Sequence, residues 1–582
     1  MRRGRILAAS TAVALAATGL AAAAAGAVPL SGDTTAAQTT TTATSYVVLT
    51  DKGADATAVA KALKSGGATV TSVNNAIGLI SVTSTASDFA GSAKSIAGVK
   101  GVSADHAIGE AGVRAKGKDV VENEAWFDKS RANGTGKKVP PPPPGGDPLD
   151  GLLWDMSMIK ADQAHAVDKG DNRVTVGVID TGVQGDHPDL APHFDKAKSR
   201  NFTTDIPAID GACEYTGCVD PVDVDDNGHG THVAGTIGAV SNGLGITGVA
   251  PDVTLVNVRA GQDSGYFFLA PTVNALTYAG DTGIDVVNMS FYVDPWLYNC
   301  QGGAPEDSAA AGVDQDVIIE GMNRALAYAH DHGVTLVAAL GNNHEDISKP
   351  RHDFSSPDYD NPANDWDNAT YERTIDNATC FDLPVEGPFV IGVSALGPSG
   401  MKSDYSNYAS DLTSGELEVS APGGWFRDGY GTDTYRTNGN EILSAAPTHV
   451  LLAEGLIDKN GNITKQGRDL GVLKQCDDEG SCGYYQWLQG TSMASPHAAG
   501  VAALAVSRHG AVDSDPSRGF TLSPDRVKSL LQSTATDHAC PEGVVDYTIV
   551  GRSAEFNATC NGTPEFNSFY GAGIVNALGV VQ

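Results

Sequence analysis

The sequence predicts an α/β chain: a parallel sheet with helices on both faces, preceded by a small α/β unit. Three observations predict it. Short apolar segments such as 174–179, 286–289 and 334–340 do not alternate with polar residues, as expected of strands covered on both faces. Segments with helical spacing stand between them, the order that a parallel sheet with crossover helices requires. Ahead of these, about sixty residues repeat the alternation in miniature, set off by a proline-rich run.

Taken in order, the elements are these. Arg2, Arg3 and Arg5 precede an apolar stretch over 6–25, and Ala25-Gly26-Ala27 offers small residues for cleavage. Residues 1–27 are read as a secretory signal rather than a membrane anchor. The Thr/Ala-rich tract within 28–44 is expected to be disordered. Residues 45–108 form the small unit, with strands at 46–49, 77–82 and 99–104 and helices at 54–65 and 89–96. Ala56, Val59, Ala60 and Leu63 make one apolar stripe in its first helix. Residues 109–148 are a linker whose prolines, Pro140 to Pro144, favour extended polyproline II chain. Such exposed chain suits proteolytic maturation, with a mature start expected near Pro148. The main domain, 149–582, has strands at 174–179, 254–258, 286–289 and 334–340 and helices at 229–240, 270–279 and 318–330. Ligands bind outside the carboxyl ends of such strands, where Asp180 and Asn342 stand.

The net charge is -32, with 41% hydrophobic and 19% charged residues. No basic face is available to release counterions, which argues against nucleic acid as a partner. No second apolar stretch of about 18 residues occurs, so the mature chain is expected to be a soluble monomer without a stable membrane anchor. All eight cysteines lie beyond residue 200. An even count in an exported chain favours disulfides over zinc, and no CxxC pair occurs. Proximity suggests Cys213–Cys218 and Cys476–Cys482, leaving Cys300–Cys380 and Cys540–Cys560.

Three dense motifs carry the chemistry. Val178-Ile179-Asp180-Thr181-Gly182 puts an aspartate at a strand end. His229-Gly230-Thr231-His232-Val233-Ala234-Gly235-Thr236 puts a histidine at a helix start. Gly490-Thr491-Ser492-Met493-Ala494-Ser495-Pro496-His497-Ala498-Ala499-Gly500 puts a serine between a glycine turn and a helix of small residues. A serine hydroxyl is a weak nucleophile near neutral pH and needs an adjacent base. The base in turn needs a group that fixes its tautomer. His232 and His497 are read as buried packing residues; a His229/His232 metal pair lacks the accompanying carboxylate. The chain order Asp, His, Ser and all three motifs resemble the subtilisin-like serine peptidases, the subtilase family (peptidase S8), from about Leu149 onward.

The resemblance implies a subtilisin-like parallel sheet with Asp180, His229 and Ser492 as the catalytic triad. It implies that Asn342, in Gly341-Asn342 after an apolar strand, donates to the oxyanion. Ser290 ends Val286-Val287-Asn288-Met289-Ser290, similar to the family strand beside the substrate. Phe291-Tyr292-Val293 then follow where the family usually has Leu-Gly-Gly, so the specificity pocket departs in size and depth. Gly265-Tyr266-Phe267 would form the opposite wall and pair with extended substrate. Core packing by Tyr266, Phe267 and Phe268 accounts for the same residues equally well.

His187-Pro188-Asp189-Leu190 and the stretch Val240-Ser241-Asn242-Gly243-Leu244-Gly245-Ile246 resemble the family's calcium loop. Asp189 and Asn242 would give side-chain oxygens and Val240, Leu244 and Ile246 carbonyls. Asp150 stands where the family usually has an amide, and structural Ca2+ is the implied ion. The run 220–226 is a second acidic cluster. Regions 343–384 and 425–485 read as insertions forming disulfide-tied loops near the cleft. The unit 45–108 resembles the family's inhibitory propeptide, with three of its four strands placed. The expectation is a secreted, extracellular endopeptidase acting on protein or peptide substrates, made as a self-processing zymogen with its own propeptide as intramolecular inhibitor. The alternatives are an exopeptidase releasing short peptides and a catalytically silent binding protein on this fold.

Overall fold

The computed structural model describes residues 43–104, 121–122, 124, 142–143, 146–357, 370–513 and 519–582. The expected signal, most of the Thr/Ala-rich tract and most of the linker lie outside the described residues.

Residues 44–104 fold as β1 (Thr44–Thr50), α1 (Ala56–Ser65), β2 (Thr69–Asn74), β3 (Leu79–Ser84), α2 (Phe89–Lys94) and β4 (Val99–Ala104). The antiparallel sheet runs β2-β3-β1-β4. β2 is the strand that sequence left unplaced. It is an edge strand of mostly polar, solvent-facing residues, so no apolar period marks it. The predicted stripe Ala56, Val59, Ala60 and Leu63 is buried, and Asp55 caps α1 by accepting from the Ala58 N–H at 3.1 Å. Arg324 Nη1 of the larger domain donates to the carbonyls of Thr50 at 2.8 Å and Ile77 at 3.0 Å. Val47, Leu49, Ile77 and Leu79 join one of the larger domain's cores.

That domain is built on β5 (Thr175–Ile179), β6 (Arg200–Asn201), β7 (Thr254–Arg259), β8 (Val286–Met289), β10 (Thr335–Ala339), β14 (Ile391–Leu396) and β15 (Val419–Pro422). They form one parallel sheet in the order β15-β14-β10-β8-β5-β7-β6. Short strands β9 (Asn299–Cys300), β11 (Arg351–Asp353), β12 (Arg373–Ile375) and β13 (Cys380–Phe381) pair separately, β9 with β13 and β11 with β12.

The helices that cover the sheet are α3 (His229–Gly238), α4 (Leu269–Thr282), α5 (Ala309–Asp331), α6 (Thr491–His509) and α7 (Pro524–Thr534). Alternate residues of each strand feed alternate faces. Val176, Val178, Val286 and Val337 pack with α3 and α6, while Ile179, Val287, Met289, Leu336 and Ala338 pack with α4 and α5. Both faces are therefore dry, which is why the strands read as unbroken apolar runs.

The region 425–485, read as loop, holds β16 (Ile442–Ala446) and β17 (Leu473–Cys476), with β18 (Cys482–Leu488) completing an antiparallel sheet between them. Gly, Asp and Asn around these strands hid them. β16 packs against α3: Ser444 Oγ donates to the His232 carbonyl at 2.7 Å. A Cβ at Gly235 would lie 2.4 Å from that hydroxyl oxygen, so only glycine fits. The four disulfides are Cys213–Cys218, Cys300–Cys380, Cys476–Cys482 and Cys540–Cys560. Among the described residues no helix is long and apolar enough to cross a membrane.

Candidate active site

Asp180, Ser290 and Asn342 follow the carboxyl ends of β5, β8 and β10, three neighbouring strands. His229 opens α3 and Ser492 is the second residue of α6. Asp180 is fully buried, and its Oδ1 accepts from His229 Nδ1 at 2.7 Å and from the Thr181 N–H at 2.7 Å. Two glycines permit this approach. A Cβ at Gly230 would sit 2.1 Å from the Gly182 carbonyl oxygen, and one at Gly182 2.4 Å from the Val224 carbonyl oxygen. Gly182 also has φ +138, outside what L side chains favour.

Asp225, also fully buried, fastens the two segments together. It accepts from Thr181 Oγ1, from the N–H groups of Asn227, Gly228 and Thr231, and from Thr231 Oγ1. Thr181 Oγ1 in turn accepts from the Gly230 N–H at 3.1 Å.

The segment of the expected nucleophile Ser492 contains a proline at position 496, inside α6. Proline has no N–H to give to the carbonyl four residues back, which is that of Ser492. Ser290 Oγ supplies the missing donor at 3.1 Å, and shares a bond of 2.8 Å with Ser495 Oγ. Ser290 thus sits beneath the Ser492 segment rather than merely beside the cleft. Ser492 Oγ donates to the Ser290 carbonyl at 3.5 Å.

Asn342 Oδ1 accepts from the Thr491 N–H at 2.9 Å and from Thr491 Oγ1 at 2.9 Å. With the carbonyl end so held, Nδ2 has no hydrogen-bond partner among the described residues. It lies 3.5 Å from where a Cβ on Gly490 would stand.

A feature missed in the sequence completes this geometry. Glu122, from the stretch read as linker, brings Oε1 to 3.4 Å from His229 Nε2. Its Cγ and Oε1 lie 3.2 Å from the position of a Gly490 Cβ, next to the Asn342 amide. Gln489 holds the segment, its N–H donating to the Glu122 carbonyl at 3.3 Å and its Nε2 to the Val121 carbonyl at 2.9 Å. Burial opposes the charging of His229, yet the Asp180 and Glu122 carboxylates hold its pKa well above the ordinary histidine value. The one available signal was the run Val120-Val121-Glu122-Asn123-Glu124-Ala125-Trp126-Phe127, apolar and acidic within an otherwise polar tract.

The two other histidines behave as packing residues. Burial pushes His232 down to about 3, and its Nε2 donates to the Ile442 carbonyl at 3.1 Å. His497 is fully buried between the Met493 carbonyl and Asp155. At the expected far wall, Tyr266 and Phe267 are buried, and Phe267 stacks on Phe291 with ring centroids 4.0 Å apart. The Gly265 N–H donates to the Gln262 carbonyl, the Asp294 N–H to the Phe267 carbonyl, and the Phe267 N–H to Asp294 Oδ2. Tyr266 and Phe267 thus contribute packing at this wall.

The expected calcium loop comes together, but its oxygens face N–H donors. Asp189 Oδ2 accepts from the Ile246 N–H and the Tyr485 hydroxyl, Asp150 Oδ1 from the Thr247 N–H, and Asn242 Oδ1 from the Leu244 N–H. Asp147 takes the N–H groups of Asn242 and Gly243. These bonds occupy one Asp189 oxygen, while Oδ1 is buried without a hydrogen bond, an acceptor suited to a hard cation. Val240, Leu244 and Ile246 are buried along this loop. The acidic run and its neighbours form a second group of carboxylates. Carboxylate oxygens of Asp220, Asp226 and Asp263, and of Asp205, Glu214 and Asp263, lie within 4.8 Å of one another. Buried Arg259 pairs with Asp220, Asp263 and Asp205, yet Asp205 Oδ2 and Asp220 Oδ1 remain buried without hydrogen-bond partners.

Comparison with known proteins points to the family that the motifs resemble. The family model described as the subtilase family matches residues 171–573. The chain is 27% identical to subtilisin DY of Bacillus licheniformis over 384 residues, covering 66% of this chain and 91% of that protein. It is 28% identical to thermitase of Thermoactinomyces vulgaris over 333 residues, covering 57% and 90%. The solved structure of the epidermin leader peptide processing serine protease of Staphylococcus aureus shares the fold, with a TM-score of 0.57 at 19% identity over 93% of this chain and 98% of that one.

Proposed function

The chain belongs to the subtilase family of serine peptidases, and on that premise we propose that it is a secreted, extracellular endopeptidase made as a self-processing zymogen. The observation that carries this reading is His229, held at 2.7 Å by buried Asp180 and beside the helix that begins at Thr491-Ser492. In the proposed reaction Ser492 Oγ attacks the scissile carbonyl carbon while His229 Nε2 takes its proton. The C–N bond breaks as His229 returns that proton to the leaving amine. A water, deprotonated by His229, then cleaves the acyl-enzyme. Asp180 keeps the proton on Nδ1 and stabilises the imidazolium. Asn342 Nδ2 donates to the oxyanion, and the positive end of α6 adds to the same field.

On this reading the linker keeps other substrates out of the precursor's cleft, with Glu122 set against His229. Residues 45–108 serve as the inhibitory propeptide, docked on α4 and α5. Val121 and Glu122, positions interior to the sequence, bond to Gln489 beside the Ser492 segment, and a cleft that accepts interior positions supports an endopeptidase over an exopeptidase. Structural Ca2+ belongs to the reading, held at the acidic cradle of Asp205, Asp220 and Asp263 or at Asp189, where it would brace the loops around His229.

Fluorophosphonate labelling of the secreted protein tests the proposal. Labelling that disappears in Ser492→Ala, with that variant left uncut as precursor, is expected. A correctly matured protein that takes no label would instead favour the silent scaffold.

A further inference from the structure

We infer that Arg427, Arg552 and Gln489 form an anion-binding subsite that selects an acidic side chain in the substrate, and that Glu124 of the linker fills it in the precursor. The inference rests on the peptidase reading above and concerns the specificity of that same cleft.

Glu124 lies two residues beyond the one set against His229, and it is 8% exposed. Its Oε1 accepts from Arg427 Nε at 2.5 Å, and its Oε2 from Arg552 Nη2 at 2.9 Å and Gln489 Nε2 at 3.1 Å. The donors come from three separate parts of the chain, so their convergence is a property of the fold. Each is fixed from behind. Arg427 Nη1 donates to the Val550 carbonyl at 2.7 Å, and Arg552 Nε to Asp404 Oδ2 at 2.6 Å. Gln489 immediately precedes the nucleophile segment, which ties the subsite to the cleft.

The charge balance gives the subsite its preference. Two guanidiniums face two carboxylates, Asp404 and Glu124. Asp404 belongs to the main domain, whereas Glu124 leaves with the linker on maturation. Among the described residues Arg427 has one carboxylate partner, Glu124. Once the linker is released, a half-buried guanidinium is left unpaired beside the cleft, and leaving such a charge uncompensated is costly. A glutamate or aspartate side chain two residues beyond the one lying against His229 restores the pair through charge-assisted hydrogen bonds. Glu124 is then a substrate mimic as well as an anchor.

Thirteen-residue peptides with the sequence of 117–129, differing only in Glu, Gln or Lys at 124, are the probes. Their hydrolysis by the matured enzyme gives kcat/KM, and fluorescence anisotropy gives Kd. A Glu-over-Gln preference of about ten- to hundredfold is expected, the range of one charge-assisted pair. Lys should rank below Gln. The Glu-over-Gln ratio should fall toward one in Arg427→Gln and shrink as salt is raised. Equal kcat/KM for Glu and Gln peptides, or a preference that survives in Arg427→Gln, overturns the subsite while leaving the peptidase standing. Should no peptide be cleaved, the peptidase reading fails separately. The anisotropy ratio then decides: tighter Glu binding supports the subsite, and equal binding overturns it.

Discussion

Replacing Thr491 by valine tests how Asn342, the proposed oxyanion donor, is aimed. Thr491 gives two of its groups to one acceptor, Asn342 Oδ1, each at 2.9 Å. Its hydroxyl also accepts from the Gly341 N–H at 3.1 Å. Valine keeps the backbone bond and the shape but removes the hydroxyl. One neutral hydrogen bond is worth about 0.5–1.5 kcal/mol net, and the Gly341 N–H is left without its acceptor as well. The amide of Asn342 then holds its orientation less firmly, and kcat should fall by about tenfold, since about 1.4 kcal/mol is one decade in rate. Asn342→Ala removes the donor itself, with a loss of about 10²–10³ in kcat, the range already measured for such a donor in subtilisin. Steady-state kinetics on an N-blocked peptide should show both losses in kcat with KM little changed. Because Thr491 acts through Asn342, the double variant should be no slower than Asn342→Ala alone, and Thr491→Ser should recover most of the rate. If the two losses multiply, or if Thr491→Val acts on KM, the proposed coupling is wrong.

Three further outcomes follow from the rest of the molecule. Opening Cys300–Cys380, which closes a sequence separation of 80 residues, by Ser at both positions should cost about 4 kcal/mol in denaturant unfolding; opening Cys213–Cys218, separated by 5, should cost distinctly less. Calcium should raise the thermal midpoint and EDTA lower it, and Asp263→Asn should blunt that response more than Asp189→Asn if the acidic cradle is the main site. Burial raises Asp285 to about 7 while its Oδ2 accepts from the Thr175 N–H and hydroxyl. The folded chain then keeps a proton that the unfolded chain releases, so this group's contribution is full below about pH 4 and is lost as pH rises through about 7. Asp285→Asn should accordingly melt higher than the parent at pH 8 and no higher at pH 4.

What could be read from the sequence follows from what leaves a mark in it. Strands buried on both faces, such as Val286–Met289, must be apolar throughout, and that pattern is visible without a partner. The amphipathic stripe of α1 is visible for the same reason. β2 is not, because an edge strand open to water needs only extended backbone, and polar residues supply it. β16 was lost among Gly and Asp because it is placed by α3, more than two hundred positions away in sequence, through the Ile442 carbonyl and the Ser444 hydroxyl. The motifs around Asp180, His229 and Ser492 were legible because close backbone approach restricts the residue types allowed there. Glu122 and Glu124 were not, since a glutamate in a linker looks like any solvated charge until its partners are placed around it.

The nucleophile segment illustrates how a residue that looks disruptive can be required. Pro496 within α6 deprives the Ser492 carbonyl of its helical donor, and a helix interior does not ordinarily tolerate that loss. The vacated carbonyl is what allows Ser290 to bond there, linking the end of β8 to the turn that carries Ser492. Asn288 Nδ2 and Ser495 Oγ complete the contacts of the same Ser290 hydroxyl, at 2.8 Å each. An N–H at position 496 would compete for the Ser492 carbonyl and release Ser290. Pro496→Ala should therefore leave the helix intact or firmer while loosening the registry between β8 and Ser492. Its signature is a fall in kcat without a fall in thermal midpoint, and a drop in both would mean that the proline acts only by packing.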